Sequence, residues 1–216
     1  MRALARPARA GFTLIELLAV IVILSILAVA LYALFGSQIE AVKVGTARAY
    51  LQQIAAACEA YESDESGGIT RGDYPPSTFP AKLLPEGGGT NRGIESLVIA
   101  LWSGSGGGYG LDQEHFVNSD GDSARRNLAE GLKSRELFEL RDEWDNPIAY
   151  FHSADYGRKD VYVTLDENGE EHQTAVEALT SPVTKDYYRP RKFQLISAGE
   201  DGVFNTEDDL YNFKVD

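Results

Sequence analysis

Apolar residues crowd one end of this chain. From Phe12 to Phe35, 24 residues are interrupted by polar side chains only at Thr13, Glu16 and Ser25. As a helix that run is about 36 Å long, enough to cross a ~30 Å hydrocarbon layer with some tilt. The pattern then changes without stopping. Ile39, Val42, Ala47, Tyr50, Leu51, Ile54, Cys58 and Tyr61 recur at three- and four-residue steps, with Gln38, Glu40, Lys43, Arg48 and Gln52 between them. The spacing predicts one helix from about Thr13 to Glu62. Its first part, 12–35, is apolar all round, and its second, 36–62, is amphipathic and packs on a body. Ser63 to Gly68 ends it.

Beyond the helix the patterns are shorter. Asp73-Tyr74-Pro75-Pro76 is turn-rich, and Asn91-Arg92-Gly93 leads into a short helix from Ile94 to Leu101. Ser103 to Gly110 is almost all Gly and Ser, a loop. The polar stretch from Leu111 to Glu143 reads as an insertion, with helix from Ser123 to Leu140 interrupted near Gly131. Ile148 to Phe151, Val161 to Leu165 and Arg191 to Ser197 read as strands, while Glu167 to Asp186 is polar and irregular. The expected fold class is α+β: a long N-terminal helix packed on a small antiparallel sheet. Residues 63–216 form one globular domain, with excursions at 105–143 and 153–188.

Charge adds a direction to this scheme. The 216 residues carry a net charge of −13, yet the first eleven hold Arg2, Arg6 and Arg9 and no acid. The rest has 17 basic against 33 acidic residues, −16. An acidic body repels phosphate, which argues against a nucleic-acid partner. The basic start holds the N-terminus in the cytoplasm and sends the body outside. An ordinary cleaved signal peptide fits less well. The apolar run exceeds the usual ~7–15 residues, contains Glu16, and follows its small residue, Gly11, instead of preceding one.

Cys58 is the single cysteine, so no intrachain disulfide forms, and it lies on the apolar helix face as a buried residue. His115, His152 and His172 are far apart, with no zinc-ligand spacing. Gly104 to Gly110 lacks the Lys-Ser/Thr of a phosphate loop, and no nucleophile elbow is present. No catalytic constellation emerges, and the chain is not expected to be an enzyme.

Glu16 remains to be explained, since an acid inside hydrocarbon costs several kcal/mol unless it is neutralised. A basic leader, then Gly11-Phe12-Thr13-Leu14-Ile15-Glu16-Leu17, then a continuous apolar helix resembles the signal of type IV pilins and type II secretion pseudopilins. The resemblance implies cleavage by prepilin peptidase between Gly11 and Phe12, and N-methylation of Phe12. It implies a homo-oligomeric filament with a pilin-like fold. It also supplies a partner for Glu16, the new α-ammonium of Phe12 on a neighbouring subunit. Two ions that are each costly in lipid then neutralise one another. Many family members carry a proline about two-thirds along this helix. Here Ala28 to Ala33 reads AVALYA, with Gly36 as a substitute flexible point.

A second segment narrows the resemblance. Five carboxylates fall between Glu200 and Asp209, with no Lys or Arg among them. In one compact turn they repel each other unless a cation intervenes, and hard oxygen ligands suit Ca²⁺. Ser197 to Leu210 resembles the C-terminal calcium loop of the major pseudopilin of type II secretion. That implies Ca²⁺ on the side chains of Asp201, Asp208 and Asp209, with Thr206 assisting and the carbonyls of Ala198 and Val203 completing the shell. Trp144-Asp145-Asn146-Pro147-Ile148-Ala149-Tyr150 resembles the family's W-G-N-P-x-x-Y, with Asp145 replacing glycine. Tyr74-Pro75-Pro76 resembles Y-P-T, and Gly93-Ile94-Glu95-Ser96-Leu97-Val98 resembles G-L-E-A-L-V. The excursions depart from the family.

The resemblance implies a bacterial inner-membrane protein with one span and a periplasmic C-terminal domain. Its implied partners are prepilin peptidase, other pseudopilins and an inner-membrane assembly platform. A surface type IV pilin for adhesion, motility or DNA uptake is the alternative, and a membrane-anchored enzyme or binding module a more distant one. Asn118-Ser119-Asp120-Gly121-Asp122-Ser123 offers oxygens for a further cation, but a turn and helix cap explain it more simply.

Overall fold

The computed structural model describes residues 12–64, 72–79, 89–103 and 107–216; residues 32–38 are described as backbone only. The leader with Gly11, the helix stop from residue 65 onward and residues 104–106 of the Gly-Ser loop lie outside them. The chain divides into two compact units, Met1–Lys43 and Val44–Asp216. One helix, α1 (Leu14–Ser63), supplies residues to both. It is unbroken at Gly36.

In the first unit every described side chain from Phe12 to Leu31 is exposed. The window Leu14–Leu31 has a mean hydropathy of 3.0 and none of it is buried. So large a bare apolar surface exceeds what soluble monomers tolerate and marks a surface made for lipid or for other chains.

In the second unit the three- and four-residue periodicity becomes a core. Ala47, Tyr50, Leu51, Ile54, Cys58 and Tyr61 of α1 are buried in one cluster with Ile94, Leu97, Val98 and Leu101 of α2 (Arg92–Ser103). A three-stranded antiparallel sheet completes it, in the order β3 (Ala149–His152), β6 (Phe193–Ser197), β7 (Leu210–Tyr211), with Tyr150 opposite Leu195 and Ile196 opposite Tyr211. All residues of β3 and β6 are buried, as expected of strands covered on both faces. Two smaller pairs flank the sheet. One is β1 (Phe116–Val117) with β2 (Glu139–Leu140); the other is the hairpin β4 (Lys159–Leu165) with β5 (Glu171–Glu177). The result is an α+β arrangement of an N-terminal apolar helix and small antiparallel sheets, consistent with a pilin-like fold.

Gly93 explains how α2 comes so close to β3. A Cβ there would lie 2.1 Å from the Tyr150 carbonyl oxygen and 2.5 Å from the Tyr162 hydroxyl. That hydroxyl in turn accepts the Tyr150 amide at 3.0 Å.

Two segments differ from the sequence expectation. Ser123 to Leu140 is not a helix. The Ala124 amide donates to the Arg135 carbonyl at 2.8 Å and Ser123 bridges Glu136, so the chain doubles back on itself. Gly131 closes this loop against α2, its amide donating to the Trp102 carbonyl at 3.3 Å. The 153–188 excursion is less irregular than expected, since its 171–177 stretch pairs with β4 over seven residues, from Lys159↔Glu177 to Leu165↔Glu171.

Candidate functional site

Two places carry the expected function, and each is built by local chain chemistry. At the start of α1, Thr13 and Glu16 form a capping box. The Glu16 amide donates to Thr13 Oγ1 at 3.3 Å, while Thr13 donates to Glu16 Oε2 through its amide at 2.9 Å and its hydroxyl at 2.7 Å. The first turn of a helix leaves amide donors unsatisfied, and a Thr-x-x-Glu spacing serves two of them reciprocally. Glu16 therefore has a partner within its own chain, which the charge argument alone did not find. The signal was legible: Thr followed three residues later by Glu, just before an apolar run. Phe12 precedes the box and is exposed.

The second place is the loop between β6 and β7. Gly199 and Gly202 take left-handed φ of +72° and +66°, and each is closely packed. A Cβ on Gly199 would lie 2.5 Å from Asp208 Oδ2, and one on Gly202 would lie 2.1 Å from the Leu165 carbonyl. Beneath the loop, the Asn146 amide group spans to Leu165, donating to its carbonyl at 2.9 Å and accepting its amide at 2.7 Å. Phe204 is buried, with its ring 5.5 Å from that of Tyr162. The loop is thus seated on the hairpin and on the turn before β3.

Within it, Asp201 Oδ1 accepts the Val203 amide at 2.8 Å, and Asp208 Oδ2 accepts the Asp201 amide at 3.0 Å. Thr206 donates to the Val203 carbonyl and to Asp208 Oδ1. Asp209 Oδ2 accepts from the Asn205 amide at 3.0 Å and the Tyr211 hydroxyl at 3.2 Å. Its other oxygen, Oδ1, is buried without a hydrogen-bond partner. Burial, reinforced by Asp208 and Asp201, pushes the Asp209 carboxyl up to about 6. Burial works against Asp208 too, but hydrogen bonds from Thr206 and from backbone amides outweigh it and hold that carboxyl below its usual range.

An all-oxygen donor set with one buried, unpartnered carboxylate oxygen fits a hard cation. Asp201, Asp208 and Asp209 do not, however, form a cluster whose ligand oxygens all lie within 4.8 Å of one another. Among the described residues the acids that do are Glu95, Asp120 and Asp122.

Other residues singled out from the sequence have separate structural roles. Cys58 is buried in the core, where burial raises its thiol well above the usual range. His115 stacks on Tyr50, His152 meets Asp73 at 3.0 Å and His172 meets Asp166 at 3.1 Å. Asp145, in the position where the resembled motif has glycine, takes a φ of +64°, which accounts for a glycine there.

The chain thus has an α+β arrangement consistent with a pilin-like fold, with one apolar N-terminal helix long enough to serve as a single-pass membrane anchor. Residues 6–32 match a family model described as the prokaryotic N-terminal methylation motif. No curated protein and no solved structure shows a significant match to the chain. The motif is the signal of a type IV pilin-like precursor, a structural protein rather than an enzyme, and it implies processing by prepilin peptidase and assembly into filaments.

Proposed function

We propose that this chain is a pseudopilin, a subunit that prepilin peptidase trims after Gly11 and that packs helix to helix into a periplasmic filament of a type II secretion system. The observation that carries this reading is the bare apolar helix from Leu14 to Leu31, with Glu16 in its first turn, lying within the matched methylation motif. Once Phe12 is the N-terminus, its ammonium is a second partner for Glu16, supplied by the neighbouring subunit, and the pair sets the axial register. The C-terminal loop supports the narrower assignment. Asp201, Asp208 and Asp209, with Thr206 and the carbonyls of Ala198 and Val203, would hold Ca²⁺, which supplies the charge neutralisation that locks the loop for packing.

Coexpression with a prepilin peptidase, followed by intact-mass measurement, tests processing; the expected product begins at N-methylated Phe12, and an uncut chain overturns it. Deleting the gene in its own host separates secretion from a surface pilus. Loss of extracellular protein release with surface pili intact is expected. The reverse result assigns the chain to a pilus. The loop's calcium is read separately, as a drop of one bound Ca²⁺ per chain in Asp208→Asn/Asp209→Asn.

A further inference from the structure

The tightest acidic cluster lies away from both the start of α1 and the β6–β7 loop. Glu95 stands in the first turn of α2 and is only 1% exposed. Asp120 and Asp122 come to it from the turn Asn118-Ser119-Asp120-Gly121-Asp122, in which Gly121 takes φ +70°. One oxygen from each of the three carboxylates lies within 4.8 Å of the others. Two oxygens bound to one Ca²⁺ at 2.3–2.6 Å are at most about 5 Å apart, so the spacing matches a shared ion.

The polar bookkeeping around the cluster is uneven. Asp120 accepts from the Thr90 hydroxyl. Nearby Glu139, fully buried, accepts from Asn91 Nδ2 at 2.7 Å and the Ser119 amide at 3.1 Å. Glu95 Oε1 and both Asp122 oxygens, by contrast, are buried and receive no donor from the surrounding chain; the Glu95 and Asp122 carboxyls have only each other. Among the described residues no lysine or arginine forms an ion pair with any of the three. Buried acids in that condition cost free energy unless a proton or a cation neutralises them.

We propose that Glu95, Asp120 and Asp122 bind a single Ca²⁺ that fastens the 118–123 turn to the first turn of α2. The donors are all hard oxygens, which suits Ca²⁺ and not a thiolate- or imidazole-seeking metal. A surface pocket of about 440 Å³ lined by Asn118, Gly121, Asp122 and Arg135 among others lies beside the turn. Without a cation, burial, then the charges of Asp122, Asp120 and Glu139 and a hydrogen bond to Asp122, push the Glu95 carboxyl up to about 10, so a proton held between Glu95 and Asp122 is what the ion displaces. A helix cap would account for this turn if a helix began at Ser123. None does; the turn itself is as expected, with Asn118 Oδ1 accepting the Asp122 amide at 3.1 Å and Asn118 Nδ2 donating to the Asp122 carbonyl at 3.0 Å, and the cation would join that turn to α2.

The test is Ca²⁺ binding by the full chain in detergent micelles, in the Asp208→Asn/Asp209→Asn background that silences the C-terminal loop. One Ca²⁺ per chain should remain there. Adding Asp122→Asn, which keeps the side chain's size and removes its charge, should weaken binding at least tenfold, and Glu95→Gln should do the same. The melting temperature of the background should rise in Ca²⁺ over chelator, and that rise should vanish with Asp122→Asn. Absence of binding in a folded background overturns the site, as does binding unchanged by Asp122→Asn; a proton shared by Glu95 and Asp122 gives the first result. If the background does not fold, the comparison is the native chain against Asp122→Asn, where the number bound should fall by one. No fall overturns the proposal. Loop and cluster are counted separately, so either can fail alone.

Discussion

Asp142 is buried under the turn that feeds β3, where its Oδ1 accepts the Trp144 and Asn146 amides and its Oδ2 accepts the Ser197 hydroxyl at 2.6 Å. Burial wins over these hydrogen bonds and pushes the carboxyl up to about 6. A carboxyl whose folded pKa is raised favours folding when protonated. Its contribution is full below the unfolded value near 3.8 and is lost as pH rises through 6. That is on the order of 3 kcal/mol at most. Asp142→Asn keeps an oxygen for the two amides and an N–H for Ser197. Its melting temperature should therefore lose most of the decline between pH 4 and 6 and equal or exceed the native one at pH 7. A pH profile unchanged by the substitution would sink this account. None of it is visible in the sequence, where Asp142 is one of many acids; its burial depends on β6 arriving from more than fifty residues away. Glu16 was legible as an acid in an apolar run, and its Thr13 partner was available to the same reading. Glu95 was not, since an acid amid Ile94, Leu97 and Val98 passes for the solvent face of a helix until the 118–123 turn is placed over it.

Elements were legible in proportion to how strictly one side chain period persists. The long helix is legible to within a residue or two, from an unbroken apolar run over 12–35 and a three- and four-residue period over 36–62; α2, β3, β4 and β6 are read from shorter runs, and their ends are shifted. β5 escapes because Glu171, His172, Gln173 and Thr174 put polar groups on both faces, leaving no alternation to read. A Ser123–Leu140 helix is expected because Leu128, Ala129, Glu130 and Leu132 favour helix, but propensity is a weak prior. Pairing of Ala124 with Arg135 and the contact of Gly131 with Trp102 override it. Glycines test the element packing directly. Gly93→Ala forces a Cβ to within 2.1 Å of the Tyr150 carbonyl, so α2 must lift from β3. A loss of about 3 kcal/mol, roughly 6–12 °C in melting temperature, is expected. Gly45→Ala, on α1 with nothing within 4 Å, should instead be neutral or stabilising by up to ~1 kcal/mol. Equal effects from the two would refute the close approach as the reason for Gly93.

At the scale of the molecule, one helix serves two different solvents. Among the described residues of α1, every buried hydrophobic one lies at or beyond Ala47, and every large exposed one lies at or before Val42. Among the described residues, the buried hydrophobic core is made of second-unit residues, and none of the Leu14–Leu31 window is buried. Residues 40–216 alone should then be a water-soluble monomer that melts cooperatively, within a few degrees of the full chain in micelles, because the apolar surface removed contributes no burial to the core. The full chain should aggregate once detergent is withdrawn, since bare apolar area of that extent demands lipid or other copies. Size measurement by light scattering, with a thermal melt on the same sample, checks both halves. A truncated body that aggregates or melts without cooperativity would mean that residues before Glu40 hold the body together, and the assignment of the first unit to assembly alone would fall with it. A monomeric, cooperatively melting body would leave assembly to the one segment that the processing motif itself occupies.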